Sequence, residues 1–114
     1  SIINVCEPQN KNLKLTLKKK WFDIISERNK KEEYREIKPY WKKRLIVNSF
    51  CPKLIFKKYD VVVFKNGYSK DAPTLTVECL GIHVDYGLSE WGAELKQKYY
   101  VIELGDILNK KIID

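Results

Sequence analysis

Lys30, Glu33 and Arg35 stand in the order Lys-x-x-Glu-x-Arg in a chain of 114 residues that holds a single histidine. An arginine fork binds phosphate or carboxylate through two donors at once, and a lysine adds a compact charge. Glu33 and Arg35, two apart in an extended segment, share a face, and Lys31 shares it too. Lys30 sits at a turn, where strand period does not fix its direction. Such a pocket suits a phosphorylated or polar nucleotide. The alternative is a solvated surface strand whose charges pair with one another.

The elements that must position this group are legible on either side of it. Leu13, Leu15 and Leu17 alternate with Lys14, Thr16 and Lys18, the period of a half-buried strand. Trp21, Ile24 and Ile25 then fall at helical spacing, with Phe22 widening the stripe and Asp23 and Glu27 pointing elsewhere. Residues 26–29 end that helix, and Asn29 is the residue expected to accept left-handed geometry. Glu33, Arg35 and Ile37 alternate with Glu32, Tyr34 and Glu36 in a second strand. The unit is strand, helix, strand, with the charged group at the helix exit.

That order and spacing resemble the activating signal cointegrator homology (ASCH) family, a branch of the fold named for pseudouridine synthase and archaeosine transglycosylase (PUA). The family signature is Gly-x-Lys-x-x-Glu-x-Arg between the first helix and the second strand. Lys30, Glu33 and Arg35 match it, while Arg28 stands at the glycine position. Lys18, just after the first strand, also stands where the family commonly has a lysine. The resemblance covers roughly residues 13–104. It implies a small barrel whose signature residues line a cleft beside it.

Composition bounds the remaining choices. The length allows one domain with one core, residues 1–114, in which residues 1–12 lack periodicity and read as an N-terminal arm. Hydrophobic content of 44% with 32% charged residues fits an ordered, soluble chain. No apolar run approaches the roughly 20 residues of a membrane span, and no charged-then-apolar leader opens the chain, so a cytoplasmic protein is expected. Methionine is absent even from position 1, which implies processing or a longer parent chain. Residues 1–58 hold 16 Lys/Arg against 6 Asp/Glu, whereas residues 59–114 hold 6 against 9. The signature lies in the basic half. A field so concentrated attracts polyanions, phosphate first among them, unless it is simply a lysine-rich solvated surface.

Cys6, Cys51 and Cys79 are odd in number and far apart, so no pairing is implied. With His83 alone and no Cys-x-x-Cys, no zinc ligand set exists, and neither metal nor cofactor is expected. Cys79 and His83 share a strand face but stand about 13 Å apart in a regular strand, too far for a thiolate pair. His83 reads as structural.

Beyond the unit, Pro39 opens a short helix carrying Tyr40, Trp41, Arg44 and Leu45. Trp41 belongs to the core or to the aromatic floor of a basic groove, the core being favoured. Residues 48–52 read as a turn or loop. Val61, Val62, Val63 and Phe64 form a β-branched run expected to be covered on both sides or to close a barrel. Asn66-Gly67 marks a turn that presents Tyr68, either as a contact or as a lid on the end of the core. Leu75, Val77 and Cys79 place their apolar face on odd positions, and Leu80, Ile82 and Val84 on even ones, which predicts a bulge near Gly81. Glu78 points to solvent or into a cleft. Residues 87–92 form a loop or turn with Trp91. Residues 99–104 are the last clear strand, stopped by Gly105-Asp106 before a short terminal element over residues 107–113.

The expected architecture is α+β: a small mixed or mostly antiparallel β-barrel of five or six strands with two or three short helices packed outside. The resemblance implies the same PUA-like fold. Three functions follow. The first is an RNA- or nucleotide-binding module with Lys18, Lys30, Lys31, Glu33, Arg35 and Glu78 about the ligand and Tyr40, Trp41, Tyr68 or Trp91 stacking on bases. The second is a hydrolase of RNA or of a modified nucleoside, with Lys30 and Glu33 as the catalytic candidates. Some ASCH-like proteins resemble ribonucleases, and others resemble amidohydrolases in which a threonine, activated by the motif lysine, is the nucleophile. Glu33 occupies that threonine position, and a carboxylate flanked by cations is a weak proton acceptor. The third is a protein-interaction module anchored on Trp21 or Trp91.

Overall fold

The computed structural model describes residues 12–47 and 55–111. The expected arm (apart from Asn12), the turn at residues 48–52, Cys6, Cys51 and Ile113 lie outside the described residues. Strand β1 (Asn12–Leu17) turns Leu13, Leu15 and Leu17 inward and Lys14 outward, as its alternation requires. Helix α1 (Lys19–Ser26) follows without a side-chain cap or an acidic first turn. A helix of eight residues has little stability of its own, so burial of Phe22 and Ile25 holds it. The buried stripe is therefore centred on Phe22 and Ile25, with Trp21 and Ile24 half-buried on its flanks.

The helix stop differs from expectation. Arg28, not Asn29, takes the left-handed conformation, at φ 64°. The Arg28 N–H donates to the Ile25 carbonyl at 2.9 Å and the Asn29 N–H to the Ile24 carbonyl at 3.0 Å, the paired bonds of a Schellman closure. A residue with a Cβ thus stands where such closures favour glycine.

The chain then enters β2 (Glu32–Glu36), leaving Ile37 exposed beyond its end. Pro39 opens α2 (Pro39–Leu45), as predicted. The Tyr59 hydroxyl donates to the Arg44 carbonyl at 2.6 Å and satisfies one of that helix's last acceptors. Strands β3 (Val61–Asn66), β4 (Thr74–Tyr86) and β5 (Lys98–Lys111) complete the sheet, with a 3₁₀ turn at Ser89–Trp91.

The order across the sheet is β1-β3-β4-β5-β2, parallel between β1 and β3 and antiparallel elsewhere. The sheet curls into a half-barrel with β1 and β2 at its margins. Part of the curl comes from β4, whose register with β5 shifts at three places from Thr76 to Gly81, as the phase slip implied. After the slip only Ile82 packs on the core; Leu80 and Val84 are exposed. In β3 the buried residues are Val62 and Phe64, while Val61 and Val63 are half-buried, so that run is covered chiefly on one face.

Strand β5 overturns a second boundary. Gly105-Asp106 does not stop it; residues 107–111 go on pairing with β4 as far as Thr74↔Lys111. A Cβ at position 105 would press on the Glu78 carboxylate and lie 3.0 Å from Leu80 Cδ2, two exposed side chains of β4. Near its start β5 is buried on both faces. Tyr100, Ile102 and Leu104 join the main core under α1 and α2, and Tyr99 and Val101 join a second cluster with Tyr34 and Ala93. Double coverage accounts for the unbroken apolar run from 99 to 102. Among the described residues no helix is long and apolar enough to cross a membrane.

Candidate functional site

Among the described residues only two charged side chains are buried, Lys30 at 2% exposure and Glu33 at 5%. Burying a charge costs several kcal/mol unless it is paired and hydrogen-bonded. Both are. The turn after α1 aims Lys30 inward, where its Nζ donates to Glu33 Oε1 at 2.5 Å and to the Glu32 carbonyl at 2.6 Å. The ammonium also lies 5.5 Å from the Trp21 ring centre and 5.4 Å from that of Tyr34. Burial lowers the proton affinity of Lys30, with the Glu33 carboxylate opposing the shift.

On β2, Glu33 and Arg35 stand opposite Ile102 and Tyr100, so both face the concave side of the sheet. Arg35 Nη1 donates to Glu33 Oε2 and, at 2.9 Å, to the Tyr34 carbonyl. Its Nη2 reaches the Thr16 carbonyl on β1 at 3.4 Å, a single long bond. The guanidinium lies 5.1 Å from the Trp41 ring centre. Arg35 therefore spans from one margin of the half-barrel to the other. Lys30 stands behind it, and Glu33 links the two.

A cleft of about 620 Å³ occupies the space between those margins. One wall is β1 with Lys14 and Thr16, continued by Lys18 just past its end; the other is β2 with Glu33, Arg35 and Glu36. Trp21, Tyr40 and Trp41 close it from the helices, Tyr68 from the β3–β4 turn, and Trp91 and Glu94 from the β4–β5 connection. That connection is tied down. The Leu88 N–H donates to the Tyr34 hydroxyl and the Glu94 N–H to the Tyr99 hydroxyl, both at 2.9 Å, and Trp91 Nε1 donates to the Asn29 carbonyl at 2.8 Å. Gly87 permits the tether, since a Cβ there would meet Ala93 Cβ at 2.6 Å and Tyr34 Cζ at 2.8 Å.

The expected site residues separate into groups. Lys18, Glu33, Arg35, Tyr40, Tyr68 and Trp91 line the cleft, and Lys30 supports it from behind. Trp41 serves both readings, packing on the core while lining the cleft. Tyr68 is 91% exposed, which removes its reading as a lid on the core. Lys31 is exposed and meets the sheet through its carbonyl, which accepts from the Leu104 N–H, because β2 begins one residue after it. Glu78 lies elsewhere, against the Asp106 N–H at 3.4 Å and beside a separate groove between residues 55–60 and 78–82. Glu78 sits on a β4 segment that pairs with β3, whereas the cleft forms at the outer margins.

Sequence reasoning missed Lys14, Thr16, Glu36, Lys38 and Glu94 as cleft residues and assigned Trp21 to the core stripe. Lys14 and Thr16 did show themselves as the outward members of β1. What was not visible is that β1 lies at a margin facing β2. Lys38 pairs loosely with Glu36 at 3.7 Å, and Lys14 and Lys18 form no ion pair with the described residues.

Other candidate chemistry stays apart from the cleft. His83 lies 4.0 Å from Asp85, and Cys79 is a free thiol whose pKa burial pushes up. Among the described residues no group of three or more His, Cys, Asp or Glu side chains could hold a metal ion. Compared with models of known protein families, with curated proteins and with solved structures, the chain matches none.

Proposed function

We propose that the cleft binds single-stranded RNA or a nucleotide, with phosphate held at Lys14, Lys18 and the free side of Arg35. The observation that carries this reading is the charge of the cleft wall. Four cations, Lys14, Lys18, Arg35 and Lys38, stand against three carboxylates, Glu33, Glu36 and Glu94, and Lys14 and Lys18 have no carboxylate partner among the described residues. An unpaired lysine at the lip of a concave, aromatic-lined site gains by replacing counterions with phosphate. The Lys30-x-x-Glu33-x-Arg35 spacing, which resembles the ASCH signature, supports the same reading, because these three residues meet at one margin of the cleft. A PUA-like ancestry and a cytoplasmic setting are part of this proposal.

In this reading Lys30 is a positioning residue. It lies behind the cleft wall and spends two donors on Glu33 and Glu32, leaving Arg35 as the guanidinium that meets the ligand. The geometry thus favours binding over a hydrolytic scheme in which Lys30 moves protons at the substrate.

The test is the affinity of a fluorescein-labelled oligoribonucleotide, followed by anisotropy across a salt series. Lys14→Ala and Lys18→Ala should each lower the slope of log K against log salt by about 0.7, the value expected for one phosphate contact on a single strand. Arg35→Ala should weaken binding about tenfold, or about 1.4 kcal/mol. Unchanged affinity and slope in all three variants would overturn the proposal. RNA-cleavage and nucleoside-deacylation assays on the wild type and Lys30→Ala address the hydrolase reading: turnover lost with binding retained would favour it.

A further inference from the structure

Most aromatic side chains of the cleft are already engaged by the protein. The Trp21 ring has Lys20 Nζ 4.6 Å and Lys30 Nζ 5.5 Å from its centre, and a Cβ on Gly92 would lie 3.0 Å from its Cζ2. Trp41 meets the Arg35 guanidinium and, edge-on at 4.8 Å, the Tyr40 ring. The Arg44 guanidinium lies 3.5 Å from the centre of Tyr40. Trp91 is held by its indole N–H and by the cluster around Tyr34. These rings shape the cleft, and cations or neighbouring rings take up stacking surface on three of them.

Tyr68 differs from all of these. It is 91% exposed and touches neither a cation nor another ring among the described residues. The turn that leads into it is nonetheless anchored. Gly67, at φ 96°, donates its N–H to the Leu17 carbonyl at 3.2 Å and to that of Lys65 at 3.1 Å, and Asn66 N–H donates to Pro73 at 2.9 Å. The turn is therefore tied to the end of β1, one residue before Lys18, which forms no ion pair with the described residues. An uncovered aromatic face and a cation with no partner among the described residues thus stand on adjoining segments of the cleft lip, the combination that takes a base and its adjoining phosphate.

Resting on the nucleic-acid reading above, we infer that the ligand is a single-stranded polynucleotide running out over this lip, with one unpaired base stacked on Tyr68 and the adjoining phosphate at Lys18. The cleft alone could hold a mononucleotide. Tyr68 stands at its rim with most of its ring open to solvent, a position that serves a ligand continuing past the cleft.

The experiment compares an oligouridylate of about eight nucleotides, its duplex with oligoadenylate, and uridine monophosphate, on the wild type, Tyr68→Ala and Tyr68→Phe. Tyr68→Ala should weaken the single strand about tenfold and Tyr68→Phe should stay within about twofold, since the phenyl face suffices. Tyr68→Ala should cost the monophosphate clearly less than it costs the single strand, and the duplex should bind more weakly than the single strand. Full single-strand affinity in Tyr68→Ala, with Lys14→Ala and Lys18→Ala still impaired, would overturn the inference and leave the nucleic-acid reading standing. Equal losses for monophosphate and oligomer would place Tyr68 inside the site and overturn the extension over the lip. A wild type that binds none of the three probes would remove both. The exposed side chain makes folded variants the expectation, and far-ultraviolet circular dichroism checks it.

Discussion

Replacing Lys30 with methionine should destabilise the fold by about 3–4 kcal/mol, far more than a lysine near a functional cleft would ordinarily cost. Methionine keeps an unbranched apolar stem of nearly the same length, so the change removes the charge, its donors and the ammonium's approach to the Trp21 and Tyr34 rings rather than most of the volume. At an effective dielectric constant of about 20, unit charges about 3 Å apart attract by roughly 5 kcal/mol, and dehydrating each ion offsets several kcal/mol of that. Removing one partner of a buried pair typically costs about 3–5 kcal/mol, because the other is left uncompensated. Arg35 still faces Glu33, which puts the charge loss at the low end, near about 3 kcal/mol. The Glu32 carbonyl also loses its lysine donor, adding roughly 1 kcal/mol. Urea unfolding at neutral pH, followed by tryptophan fluorescence, reads this directly. With m near about 2 kcal/mol/M the midpoint should fall by roughly 1.5–2 M. Lys30→Met with Glu33→Gln should cost about 1–2 kcal/mol less than the two single changes added together, since the stranded charge is gone. A loss under about 1 kcal/mol in Lys30→Met, or strict additivity in the double variant, would refute the claim that this lysine exists to hold Glu33 and Arg35.

Two further expectations test how the cleft walls are held. Arg28→Gly should stabilise the protein by about 0.5–1 kcal/mol in the same urea assay, since relief of roughly 1–2 kcal/mol of left-handed strain outweighs the greater chain entropy of glycine in the unfolded state. Burial pushes the Tyr34 phenol well above its ordinary value of 10, with the neighbouring Glu32 adding to the shift. The unfolded chain loses that proton first and binds fewer protons than the native state, so stability is retained below pH 10 and falls as pH rises above it. Unfolding free energies between pH 9.5 and 11 should decline less steeply in Tyr34→Phe, and equal slopes would show that Tyr34 is not the group responsible.

The contrast between what could and could not be read in the chain follows from where each kind of information lives. Leu13, Leu15 and Leu17 state which face of β1 is buried, Pro39 states where α2 begins, and the change of phase from Val77 to Ile82 announces a bulge at Gly81, because each depends on neighbours within a few residues. Boundaries set by a partner strand were read wrongly. Gly105 would end an isolated strand, yet pairing with β4 carries β5 past it as far as Lys111. Arg28 likewise holds a conformation that local preference gives to glycine or asparagine, since the closure bonds from Arg28 and Asn29 fix the backbone there.

The same distinction governs the site. The Lys30-x-x-Glu33-x-Arg35 spacing is local, and it correctly places Glu33 and Arg35 on one face. The cleft is not local. It exists because β1 pairs with β3 in parallel and β2 pairs with β5 at the far side, so the two strands flanking α1 in the chain become opposite margins of one curled sheet. Lys14 and Thr16 acquire a role from that arrangement alone. Two margins left without a shared ladder must be kept aligned by something other than main-chain bonds. Deeper in the sheet the core of Leu13, Leu15, Leu17, Tyr100 and Ile102 supplies it, and at the cleft a chain of charge runs from Lys30 through Glu33 to Arg35 and ends in one long bond to the Thr16 carbonyl. An apolar seam would bury more surface, but it would also fill the gap. A paired charge chain bridges the margins while leaving the last guanidinium half free, and the most buried lysine of the described fold lies behind the cleft wall that this guanidinium forms.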